Sequence, residues 1–148
     1  MEKTYRIGDL ARAAAVPVET IRYYERDGLL PVARRTAGNF RVYTEAHRER
    51  LMFIRQCRAL DMTLEEVRAL LRLKDTPQAS CAEVNALIDE HMAHVDMRIR
   101  ELQELKSELS LLRAKCGATR KVRDCAIVAG LSAGTATRAS KRRGVHGS

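Results

Sequence analysis

The chain has 148 residues, 45% of them hydrophobic, with only 4% aromatics and no tryptophan. That suits one small helical unit with an extension, dependent on self-association for much of its burial. The formal net charge of +8 is uneven: residues 1–60 hold 12 Lys/Arg against 7 Asp/Glu, residues 61–116 hold 8 against 11, and residues 117–148 hold 7 against 1. A basic front half on an acidic middle points to a polyanion partner at the front. No apolar run approaches membrane-spanning length, and Met1-Glu-Lys-Thr has no signal-peptide profile, which predicts a cytoplasmic protein. Four cysteines in that compartment read as reduced thiols or metal ligands rather than structural disulfides.

Residues 5–30 read as two short helices around a tight turn. Ile7, Leu10 and Ala14 give the first an apolar face, and Val16-Pro17 ends it. The second, about residues 18–27, buries Val18 and Ile21, stops at Gly28 and presents Thr20, Arg22 and Tyr23. A second helix that is basic and aromatic describes a helix-turn-helix, although an ordinary helical hairpin gives the same bare pattern. Residues 34–43 then supply a basic hairpin: Gly38-Asn39 is turn chemistry, and the stretch through Phe40, Arg41, Val42 and Tyr43 alternates as a short strand. In that position it reads as a wing, with Arg34, Arg35 and Arg41 reaching phosphates and Tyr43 donating a hydrogen bond there.

Helical periodicity returns over residues 44–60, with Leu51, Ile54 and Cys57 on one face; Cys57 reads as a small buried hydrophobe. Thr63 with Glu66 forms a capping box for a helix through Leu64, Val67, Leu70 and Leu71. After a linker of residues 75–79, Ser80 with Glu83 forms another box, opening a long helix that Gly117 stops. Read in sevens, one seam carries Cys81, Ile88, Val95, Leu102, Leu109 and Cys116, and a companion seam carries Val84, His91, Arg98, Leu105 and Leu112. Such a stripe needs a second copy to cover it. Cys81 and Cys116 lie roughly 50 Å apart along one such helix. An antiparallel pair brings Cys81 of one chain beside Cys116 of the other, with Cys125 on the following loop; a parallel pair leaves Cys125 stranded. Residues 126–131 read as one apolar turn packing back, and residues 132–148 as a disordered basic tail.

Several strings carry a family resemblance. Ile7-Gly-Asp-Leu-Ala11, Glu19-Thr-Ile-Arg-Tyr-Tyr-Glu25, Gly28-Leu-Leu-Pro31 and Asn39-Phe-Arg-Val-Tyr43 resemble the MerR family of bacterial transcriptional regulators. Residues 53–62 and 81–91 are similar to its cadmium- and lead-responsive branch. The resemblance implies a mainly α fold: a winged helix-turn-helix domain with connecting helices over 1–75, a dimerisation helix over 76–116 forming an antiparallel coiled coil, and a metal-binding loop over 117–131. It implies a homodimer on double-stranded promoter DNA that activates RNA polymerase by bending and untwisting the promoter when metal binds. Thr20, Arg22, Tyr23, Tyr24, Arg34, Arg41 and Tyr43 fall on the family's DNA-contacting elements. Three thiolates, Cys81, Cys116 and Cys125, favour a divalent soft ion, Cd2+ or Pb2+ first, with Hg2+ a rival and Zn2+ less suited because the loop lacks a histidine. His91 and His94, three residues apart on one helix, resemble an auxiliary site of cadmium sensors, although His91 on the seam also reads as a packing residue. Two readings of other classes stand beside this: a thiol redox switch, which the lack of Cys-x-x-Cys disfavours, and an architectural DNA-binding protein indifferent to its cysteines. No Ser/His/Asp or paired-carboxylate constellation supports an enzyme.

Overall fold

The computed structural model describes residues 2–117 and 121–134. The chain divides into two units, Met1–Leu87 and Ile88–Ser148. The first is built from β1 (Thr4–Tyr5), α1 (Ile7–Ala14), α2 (Val18–Arg26), β2 (Arg34–Arg35), β3 (Arg41–Thr44), α3 (Glu45–Ala59) and α4 (Leu64–Lys74). A long helix, α5 (Cys81–Ala114), continues into the second unit, followed by a 3-10 turn at Val122–Asp124 and α6 (Ala126–Ser132). Among the described residues no helix is long and apolar enough to cross a membrane.

The turn between α1 and α2 is tighter than Val16-Pro17 alone requires. Ala15 takes φ 53°, in the left-handed region, and the Val16 amide donates to the Ala11 carbonyl at 3.0 Å. Pro17 then caps α2, where its missing N–H costs nothing. Gly28, at φ 75°, turns the chain after α2 so that the amides of Leu29 and Leu30 both donate to the Tyr24 carbonyl. This places Leu29 and Leu30 beside Leu10, Ile21, Leu51, Ile54, Met62, Val67 and Leu71, all at most 2% exposed. Cys57 joins this core as the small hydrophobe the α3 face predicts, and burial pushes its thiol pKa up.

The hairpin supplies two strands of a three-stranded antiparallel sheet ordered β1-β3-β2. β1 pairs with β3 through Thr4↔Thr44 and Tyr5↔Tyr43, a pairing with no periodic sign in the two residues of β1. His47, buried near the start of α3, closes the seam: its Nδ1 accepts from the Thr44 amide at 3.0 Å and its Nε2–H donates to the Pro31 carbonyl at 3.0 Å. The Thr63/Glu66 box forms reciprocally, at 3.1 and 2.9 Å.

Two arginines grip the end of α2. Arg68 of α4 donates to the Asp27 carbonyl at 2.8 Å and pairs with its carboxylate. Arg50 of α3 donates to the Leu29 carbonyl at 2.7 Å and forks onto both Asp75 oxygens at 2.9 and 3.0 Å. Arg50→Ala leaves the carbonyl of a buried residue without its donor, so we expect a loss of about 1–3 kcal/mol in urea denaturation.

In the second unit α5 exposes Ile88, Val95, Leu102 and Leu109, 37–55% accessible at seven-residue intervals. The helix begins where expected, but the Ser80 hydroxyl accepts from the Ala82 amide rather than from Glu83. It ends at Ala114, and the Cys116 amide closes the last turn onto Arg113. α6 forms where an apolar turn was expected, yet Val128 and Leu131 remain exposed instead of packing back. Of the tail expected to be disordered, residues 135–148 lie outside the described residues.

Candidate nucleic-acid interface and metal centre

The exposed side of α2 presents Arg22, Tyr23 and Arg26, with Thr20 half-buried beside them. Arg22 pairs with Glu19 at 3.0 Å. The hairpin adds Arg34, Arg35 and Arg41, all exposed. Arg35 also holds the turn, donating to the Asn39 carbonyl at 3.2 Å. Between helix and hairpin lies an open cleft of about 580 Å³ lined by Ile7, Glu19, Arg22, Glu25, Arg26, Val32 and Arg41. Three guanidinium groups line this cleft with two carboxylates, Arg22 facing Glu19 and Arg41 facing Glu25.

Two tyrosines sit elsewhere than expected. Tyr43 is fully buried, and its hydroxyl donates to the Glu25 carboxylate. It is therefore not a phosphate donor, and burial followed by the Glu25 contact pushes its pKa up to about 12. Tyr24 is only 9% exposed, with its ring edge-on to Tyr23, and belongs to the core. Phe40 goes the other way: 55% exposed at the hairpin turn, it is covered by the Arg6 guanidinium at 4.4 Å from the ring centre. Glu25, Arg6 and Phe40 were missed from sequence. Only the basic and aromatic character of the segment hinted at them.

The four cysteines form no disulfide among the described residues. Cys81 opens α5 and is exposed. Cys116 and Cys125, both half-buried, lie in the second unit, where the Cys116 side chain helps to lower the Cys125 pKa. Just ahead of α6, the backbone amides of Val128 and Ile127 hold the Cys125 pKa below that of an ordinary thiol. A thiolate favoured in this way, beside a second thiol, suits a soft cation. His91 is half-buried and His94 exposed, one turn apart on α5.

Two family models cover most of the chain: "MerR HTH family regulatory protein" matches residues 5–74, and "MerR, DNA binding" matches residues 48–112. A transcriptional regulator ZntR homolog of Haemophilus influenzae is 47% identical over 110 residues, spanning 74% of this chain and 82% of its own. The chain belongs to the MerR family of helix-turn-helix transcriptional regulators. Its α2 is thus the recognition helix of a MerR regulator, and its hairpin is the wing. The transcription regulator PbrR691 of Ralstonia metallidurans CH34, solved in complex with lead(II), shares 50% identity and a TM-score of 0.75 over 86% of this chain and 98% of that one. A MerR of Bacillus megaterium MB1 in complex with mercury(II) shares 28% identity and a TM-score of 0.68, over 86% and 99%.

Proposed function

We propose that this MerR regulator senses a divalent soft metal, cadmium or lead, through Cys81, Cys116 and Cys125, and activates a metal-resistance promoter by distorting its DNA. The observation that carries the reading is the Cys116–Cys125 pair, in which backbone amides and a neighbouring thiol favour the thiolate form. The 50% identity to a regulator solved with lead(II) supports the choice of ion. The working form is a homodimer in the cytoplasm. Its antiparallel α5 helices cover the stripe of Ile88, Val95, Leu102 and Leu109, and Cys81 of one chain joins Cys116 and Cys125 of the other. His91 and His94 serve as auxiliary donors, and RNA polymerase is the partner at the promoter. Mercury is the second reading, favoured by the likeness to a mercury(II)-bound relative and by three-thiolate chemistry. In vitro transcription titrated with each ion under a competing thiol decides between them. The reading expects activation by cadmium and lead, and a response confined to copper(I) overturns it.

Arg41, half-exposed in the cleft, is the proposed phosphate contact on the wing. Arg41→Ala should weaken binding to specific and random duplexes alike and lower the slope of log affinity against log salt by about 0.9. Anisotropy titrations at several salt concentrations measure this, and metal uptake should not change.

A further inference from the structure

Glu25 is an anomaly on a recognition helix. It sits among the groups expected to meet phosphate, carries the same sign of charge as phosphate, and is only 7% exposed. A buried carboxylate is tolerated only while its oxygens are satisfied. One oxygen of Glu25 accepts the Tyr43 hydroxyl; the other faces the Arg41 guanidinium at 3.9 Å. Both partners lie on β3, the central strand of the sheet, paired on either side by β1 and β2. Swinging the wing away from α2 would strip Glu25 of both partners at once. Arg41 faces this carboxylate while 48% of its side chain remains exposed.

We infer that Glu25 is a positioning residue of the DNA interface: through Tyr43 it fixes the wing against the recognition helix, and through Arg41 it restrains a phosphate contact until the backbone arrives in register. DNA binding is all this requires; the metal reading can fail without touching it. Pre-organising two contact elements favours a duplex that fits both at once, and a carboxylate in the cleft disfavours indiscriminate phosphate binding. Specificity, more than raw affinity, is what Glu25 supplies.

The test uses the full-length protein, a palindromic duplex selected by the wild-type protein from a random pool, and a scrambled duplex of equal composition. Tyr43→Phe keeps the ring in the core and removes the hydroxyl. Glu25→Gln keeps the shape and an acceptor for that hydroxyl but removes the charge facing Arg41. We expect Tyr43→Phe to lose about five- to tenfold in affinity for the selected duplex and less for the scrambled one. Glu25→Gln should bind the scrambled duplex about two- to threefold more tightly with little change on the selected one. In both variants the ratio of selected to scrambled affinity falls. A purely structural brace would shift the melting temperature and scale both affinities together through the folded fraction. If both variants keep the wild-type ratio, the assignment of Glu25 is wrong, whatever happens to their stability.

Discussion

Cys125→Ser should reduce metal affinity by at least about a hundredfold and abolish metal-dependent transcription. Loss of a hydrogen-bond partner to a metal ligand already costs ten- to a hundredfold, so loss of a ligand sets a higher floor. Cys125 is the thiol that the fold prepares, since amides of Val128 and Ile127 and the Cys116 side chain lower its pKa. Metal binds the thiolate, so every thiol still protonated in the metal-free protein must release its proton on loading. Affinity therefore falls as pH drops. Because its pKa is lowered, Cys125 remains an anion to lower pH than an ordinary cysteine. Competition against a chelator, repeated across pH, gives both results. The intersubunit arrangement has its own check. Mixing a Cys81→Ser subunit with a Cys116→Ser, Cys125→Ser subunit should restore one tight site per heterodimer. Heterodimers that form without regaining a site would place all the ligands differently.

Leu51→Ala is expected to have the largest effect on folding, about 2–5 kcal/mol. Leu51 is fully buried on α3, in the cluster that also holds Leu10, Ile21 and Tyr43. A domain of this size is typically stable by about 5–15 kcal/mol, so the loss is a large share of the total. Leu51→Met, which roughly conserves volume, should cost less than about 1.5 kcal/mol. Urea denaturation followed by circular dichroism measures both. A Leu51→Ala value below about 1 kcal/mol would mean that the core collapses around the cavity or that Leu51 is not central to it.

Local signals in the sequence translated well. The Thr63/Glu66 box and the apolar face of α3 depend on residues three or four apart, and the sevenfold stripe of α5 is carried by a single helix. What failed was decided at long range. β1 has two residues and owes its existence to β3, some forty positions away, so it leaves no period to read. Alternation over residues 40–43 was visible, but period two has two phases. Burial over Arg41–Thr44 does not alternate, and Tyr43, read by residue type as a phosphate donor, is buried because the Glu25 acceptor that admits its hydroxyl into the core lies on another element. Tyr24 erred for a related reason: adjacent tyrosines on a helix point about 100° apart, and only packing says which one faces inward. Charge and wing chemistry pointed to arginines that the structure leaves exposed on α2 and the hairpin. Softness and number pointed to the cysteines as candidate ligands, but the way Cys125 is tuned depends on amides that α6 supplies only once it forms.

The two arginines lashed to the end of α2 have a mechanical consequence. Arg68 ties Asp27 to α4, and Arg50 ties Leu29 to the last turn of that same helix through Asp75. Two attachments, at different points along α4, resist rotation as well as translation, as a single pin would not. Because Arg50 is rooted in α3, its fork onto Asp75 also ties α4 to α3, so the end of α2, α3 and α4 are held as one linked set. The end of α2 is thereby clamped from two neighbouring helices rather than from one.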